Sequence, residues 1–362
     1  MKTAKTASMI LGGLLLFLLA SPAHAQHLDW RGVTADARAA RQGGDNTGAA
    51  TLYKQALEIQ EKTFGPKSRE VATSLHNLAV LYEDESMDAE AEPLYRRSIA
   101  IWEQYPGTDA LIAASLSNLA ALCHDTHKDE EAEQLYNRAL AIWGKTGQLE
   151  SPEAAATVTS LGDIYHSEGK YGEAEPLYNR ALAIWEKTSQ LENPDAVTTL
   201  TRLGDIHRSR SEFDQAEPLY KRALATWDKT GHSESPEAIA TISSLGDIYR
   251  SQGRFAEAEP LLTRVLASKE KTLGPDHLDV AASANDLALL YNCEEKYAEA
   301  EPLYKKAIQI REKDLGVQHP DVVRTREIYA VMLHQEGRKA DAQKIEMRPV
   351  KVQLNNFQTA TP

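Results

Sequence analysis

Cysteine is scarce in this chain: Cys123 and Cys293 are the only two in 362 residues. They lie about four lengths of the repeat described below apart, so a disulfide within one chain, with its ~4.4–6.8 Å between Cα atoms, is geometrically implausible. No disulfide framework is expected, and packing must supply the stability. Basic runs are lacking too: none exceeds two residues, and the formal charge is −13. An acidic chain without a basic stripe repels phosphate backbones, which argues against nucleic acid as a partner. The apolar stretch from Ile10 to Ala20 is shorter than the ~20 residues a helix needs to cross a bilayer. There is no zinc-protease His-Glu-x-x-His, no phosphate-binding glycine loop and no dinucleotide fingerprint. Nothing here points to an enzyme, and no cofactor or metal is expected.

What stands at the N terminus has the pattern of an export signal. Lys2 and Lys5 precede the apolar stretch, and Ser21-Pro22-Ala23-His24-Ala25 closes it with small residues before a cut after Ala25. No cysteine follows directly, so a bacterial-type lipid anchor is not expected. Cleavage removes two lysines and no acid, taking the charge from −13 to −15. The mature chain is expected to be secreted or periplasmic; the rival reading is an uncleaved anchor. The expected layout is a signal peptide over 1–25, a repeat array over 26–348 and a polar, disordered tail over 349–362, which could also lie in the groove of its own or a neighbouring molecule.

The repeat shows as a beat of alanines: Ala49, Ala91, Ala132, Ala174, Ala216, Ala258, Ala300 and Ala342, spaced 42 residues apart with one step of 41. Such a period predicts stacked copies of one supersecondary unit. In the unit around Ala174, Ser151-Pro152-Glu153 is a helix start, with serine as N-cap and proline in the first turn. Asn193-Pro194-Asp195 and Ser235-Pro236-Glu237 repeat it. A first helix running to about Ser167 buries Leu161, Ile164 and Tyr165, and Gly169 ends it. A second helix carries Ala174, Leu177, Tyr178, Ala181, Leu182 and Trp185 on one stripe. The predicted fold class is all-α, a solenoid of about eight helical hairpins.

Leu-Gly-x-x-Tyr in the first helix and Ala-x-x-x-Tyr-x-x-Ala in the second resemble the tetratricopeptide repeat. The 42-residue period, the Ala-Glu-Pro-Leu-Tyr phrase and Leu273-Gly274-Pro275-Asp276-His277 resemble its kinesin-light-chain type. The resemblance covers about residues 30 to 348. It implies a right-handed superhelix whose inner face, lined by first helices, binds peptides or partner proteins. The motor role of the light chain is not expected to transfer, because nothing before residue 45 is long enough for its coiled coil. The end units depart from the pattern as caps do: Asp36 and Ala40 replace leucine and tyrosine in the first, Glu346 replaces tyrosine in the last.

Asp163, Asp205 and Asp247 form one column, about 200° around the helix from buried Leu161, Leu203 and Leu245 at 3.6 residues per turn. They are expected to face outwards as an acidic ladder. His166, Arg208 and Arg250 follow three residues later, and Thr159, Thr201 and Ser243 precede them by four. The face reads as a groove for a basic or mixed-charge partner segment; the plainer reading is helix-local Asp–Arg pairs. The resemblance adds Asn77 and Asn118, at positions where such repeats grip a peptide backbone, with Arg202 and Ser244 equivalent to them. Trp102, Trp143, Trp185 and Trp227 form another column, expected to pack between hairpins. A glycan-stacking platform for a cell-wall-binding module is the alternative. Cys123-His124-x-x-His127 has metal-ligand residue types, but Cys123 occupies a core column, so no metal site is expected. Ser268-x-x-Lys271 and Lys145-Thr146-Gly147 imitate β-lactamase strings in reversed order, and Lys229-Thr230-Gly231 repeats the second. Self-association through the end units stays open.

Overall fold

The computed structural model describes residues 30–346. The expected signal peptide and tail lie outside the described residues. Within the described residues there are sixteen helices and no strand: α1 Trp30–Gln42, α2 Asn46–Phe64, α3 Arg69–Asp84, α4 Asp88–Trp102, α5 Asp109–Asp125, α6 Asp129–Lys145, α7 Pro152–Ser167, α8 Tyr171–Lys187, α9 Pro194–Ser209, α10 Phe213–Thr230, α11 Pro236–Ser251, α12 Phe255–Leu273, α13 Leu278–Cys293, α14 Tyr297–Leu315, α15 Pro320–Gln335 and α16 Lys339–Glu346. Contacts divide the chain after Pro106 into two compact units. The first holds the hairpins α1–α2 and α3–α4, the second the six hairpins from α5–α6 to α15–α16.

The local signals act as their chemistry requires. The side chains of Ser151, Asn193 and Ser235 accept backbone N–H groups at the starts of α7, α9 and α11, and each following proline sits where its missing N–H costs nothing. Gly169 takes φ +73°, which a side chain would resist. Every alanine of the beat is fully buried. The Trp column is buried as well: Trp102 is 1% exposed, Trp143 4%, Trp185 1% and Trp227 7%. That leaves no indole face for a sugar ring to stack on. Trp185 instead packs with Ala155, Val158, Ala181, Ile184 and Ala196, joining α7, α8 and α9.

The Ala-Glu-Pro phrase owes its glutamate to the next hairpin. In the second unit, Glu217 accepts from Tyr249 Oη at 3.1 Å and Arg254 Nη1 at 2.6 Å. Glu259 accepts from Tyr291 Oη and Lys296 Nζ, both at 3.1 Å, and Glu301 from Tyr329 Oη at 2.9 Å and Arg338 Nη1 at 2.6 Å. The Arg254 guanidinium also lies over the Tyr249 ring, 4.1 Å from its centroid. The Arg254 hydrogen bond holds the Glu217 carboxyl down at about 2 from the ordinary 4.5, and Arg338 does the same for Glu301. A carboxyl depressed in the folded state stabilises above its unfolded pKa, and that contribution fades as pH falls through the folded value. The second unit should therefore lose stability progressively from about pH 5 towards pH 2. The urea midpoint, followed against pH, should fall less steeply over this range in Glu217→Gln; identical slopes would remove the clamp.

Candidate functional site

The first helices of the second unit lie side by side: α9 touches both α7 and α11, and α5 touches α7. Hydroxyls cross these seams at regular intervals. Ser117 and Thr157 are 2.9 Å apart, Thr159 and Thr199 2.9 Å, and Thr201 and Thr241 3.3 Å. Thr159 is thus only 4% exposed and spends its hydroxyl on Thr199 and the Ala155 carbonyl. This corrects its placement on the outward face: the neighbouring helix covers it. Thr201 and Ser243, at equivalent positions, are half-buried.

The aspartate column is also less outward than a single helix suggests. The side chains of Asp163, Asp205 and Asp247 are 28%, 19% and 31% exposed. Asp163 accepts the Tyr178 hydroxyl at 2.6 Å and Asp205 the Tyr220 hydroxyl at 2.7 Å. Both tyrosines are fully buried, and burial, followed by the adjacent aspartate charge, raises their hydroxyl pKa values. Leu262 stands where the third tyrosine would be, so Asp247 pairs instead with Arg250, Oδ1 to Nη2 at 3.2 Å. The glycine before each aspartate makes room: a Cβ on Gly204 would lie 2.8 Å from Tyr220 Cε1, and one on Gly162 2.8 Å from Tyr178 Cε1. Gly-Asp is therefore one device, a notch for the ring and an acceptor for its hydroxyl.

Helix-local pairing accounts for part of the rest. Arg208 Nη2 is 3.8 Å from Asp205 and Arg250 pairs as described. His166 packs against the rings of Tyr171 and Tyr178, with centroids 5.2 and 6.3 Å away. Burial, then the charge of Arg202, lowers its pKa. Arg202 reaches from α9 to Asp163 on α7, Nε to Oδ1 3.4 Å. Asn118, on α5, is half-buried; Asn77 is half-buried on α3 in the first unit. The second unit thus brings together Asp163, His166, Thr201, Arg202, Asp205, Arg208, Ser243, Asp247 and Arg250 on α7, α9 and α11. A cavity of about 320 Å³ between α9 and α11 is lined in part by Thr201, Arg202 and Asp205.

Sequence reasoning overlooked Asp286 on α13, a half-buried residue whose carboxyl pKa is raised by burial and then by Asp247. Its signal was available: it stands 42 residues after Ser244, in the column of Asn118 and Arg202. Cys123 is buried and His124 Nδ1 lies 2.6 Å from Asp129. Among the described residues no cluster of His, Cys, Asp or Glu has the arrangement of a metal site.

Paired helices with a repeated Gly-Asp notch and a repeated glutamate clamp define a helical-hairpin repeat protein. The tetratricopeptide repeat model matches residues 37–104, 86–145, 153–229, 237–313 and 280–348. The chain belongs to the tetratricopeptide repeat family. No curated protein matches it. Among solved structures it is similar to BtubC (BKLC) from P. vanneervenii, at 22% identity over 68% of this chain and 93% of that one, with a TM-score of 0.53. It is also similar to the apo form of RapI, at 16% identity over 79% and 98%, with a TM-score of 0.58. A Podosopora anserina chain described as kinesin light chain, nearly identical TPR-like repeats, is 28% identical over 57% and 97%, with a TM-score of 0.48. Repeats of this family generally mediate protein–protein interaction and are generally not enzymes.

Proposed function

We propose that this chain is an exported interaction scaffold that holds a partner segment against the first-helix face of its second unit. The observation that carries the reading is the shared polar face of α7, α9 and α11. Three aspartates and three cationic or imidazole side chains recur there at one repeat spacing, beside an open cavity. Asp163, Asp205 and Asp247 are each paired with one of Arg202, Arg208 and Arg250, so the face presents both signs of charge, and we read its partner as a basic or mixed-charge segment. Export is supported by Lys2, Lys5, the apolar stretch and the small residues before Ala25; N-terminal sequencing of the mature protein should begin at Gln26. The tryptophan column, being buried, gives a sugar-binding role no support.

Replacing the aspartates by lysine would also strip Tyr178 and Tyr220 of their acceptor, so the informative change is Asp→Asn, which keeps an oxygen for each hydroxyl. The combined Asp163→Asn, Asp205→Asn and Asp247→Asn variant should keep its circular dichroism spectrum. It should lose about tenfold or more in capture of its partner from the exported fraction, since hydrogen bonds to charged groups are worth ~1.5–3 kcal/mol. Undiminished capture would rule out this face.

A further inference from the structure

The cavity between α9 and α11 has an apolar side formed by Trp227, Pro236 and Ala240 and an acidic side formed by Asp205 and Glu237, with Ser244 on α11 and Thr198, Thr201 and Arg202 on α9 completing its wall. Its volume of about 320 Å³ lies at the lower end of the range for small ligands, ~300–1,000 Å³. Glu237 is exposed, and Asp205 uses Oδ1 on Tyr220 and, at 3.8 Å, on Arg208, leaving Oδ2 for a donor. Arg202 lines the cavity too, but its guanidinium pairs with Asp163 on α7, so an anionic group would meet two carboxylates against one committed cation, whereas a cation with a flat or aliphatic body fits both sides.

One repeat earlier the chain shows what such a place accepts. Forty-two residues before Ser244 stands Arg202, and its Nε lies 3.4 Å from Asp163. Asp163 is the counterpart of Asp205, and Asp195 is the counterpart of Glu237. Asp195 and Asp163 are near enough that the charge of Asp163, after burial, helps raise the Asp195 pKa. At the α7–α9 seam, then, Asp163, one of an acidic pair, is served by a guanidinium that the chain supplies itself. At the α9–α11 seam serine replaces that arginine, a side chain too short to reach across, and the space beside Asp205 stays open.

We propose that this cavity is a subsite for one arginine side chain of the partner segment, its guanidinium taking beside Asp205 and Glu237 the place that Arg202 takes beside Asp163. The proposal rests on the first-helix face being a binding surface. Arginine is preferred to lysine because a planar fork meets carboxylates with several aligned donors.

The test titrates Nα-acetyl-arginine N-methylamide into the full mature chain and follows the indole Nε1–H signal of Trp227 by NMR, assigned with Trp227→Phe. A saturable shift is expected at Trp227 and none at Trp185. The citrulline analogue, equal in shape but neutral, should bind about tenfold more weakly, the difference between a charged and a neutral hydrogen-bond donor. Ser244→Arg should fill the cavity from within and abolish the response, and Glu237→Gln, at an exposed position, should weaken it without affecting the fold. Equal binding of the citrulline analogue, a response that survives Ser244→Arg, or no response at the solubility limit would each overturn the subsite. If partner capture is lost in the triple Asp→Asn variant while Trp227 ignores the arginine probe, the face stands and the subsite falls. If the probe binds but capture is unchanged, the face falls, and with it the assignment of the cavity to the partner.

Discussion

Gly204→Val should destabilise the second unit by about 3 kcal/mol, the upper end of the usual cost of overpacking. The first added carbon alone would lie 2.8 Å from Cε1 of Tyr220 and 3.0 Å from Cδ1 and Cζ. The ring cannot retreat easily: Tyr220 is fully buried among Leu245, Ile248 and Ala258, and its hydroxyl is tied to Asp205 at 2.7 Å. Even Gly204→Ala should destabilise, although alanine is worth ~1 kcal/mol more than glycine in a helix interior. Alanine does occur in this column at Ala79, Ala120 and Ala288, but the next residue there is Val80, Ala121 or Leu289, never aspartate. In the unit of Ala79 the hydroxyl of Tyr95 goes to Glu83, further along α3, and not to the residue beside the alanine. Gly246→Ala should cost less than Gly204→Ala, because its close neighbour is the Cδ2 end of Leu262, a side chain that can change rotamer. Urea unfolding of the two alanine variants decides the point, and a larger loss at Gly246 would refute the notch.

Trp185→Ala should cost about 3–5 kcal/mol, the range for removing a large aromatic side chain from a core. Trp185 is 1% exposed and joins three helices from two hairpins. Because stability in a repeat array is held in such interfaces, its loss should also uncouple α7–α8 from α9–α10. Two unfolding steps, or faster amide exchange confined to these hairpins, would show it. Trp185→Phe should be much milder. The indole Nε1–H is buried without an acceptor, so phenylalanine deletes a donor that makes no bond and leaves most of the ring volume. A loss below about 1 kcal/mol for Trp185→Ala would exclude the indole as the link between hairpins.

The hairpins could be read from the sequence because their determinants are local. Ser151 and Pro152 start α7 and Gly169 closes it whatever lies nearby, and the buried columns follow from periods of three and four. The face was harder. A helical projection places Asp205 and Thr159 relative to their own helix, whereas their exposure is set by the side chains that come alongside: Tyr220 in one case, Thr199 in the other. The cavity was hidden for a related reason. It comes from a residue that is short, Ser244, where its counterpart Arg202 is long, and a missing side chain leaves no motif. Asp286 was passed over because the aspartate column was traced through three units, while this acid lies in the adjacent column.

The hydroxyl contacts from Ser117 to Thr241 span 40 residues at each step, two short of the 42-residue period, and each helix that receives one offers the next hydroxyl two positions on. A gene segment encoding one whole period could therefore be copied or deleted between α7 and α11, and the flanking helices would meet the same donors and acceptors at the new junction. Length in this part of the molecule is free to evolve by unequal recombination.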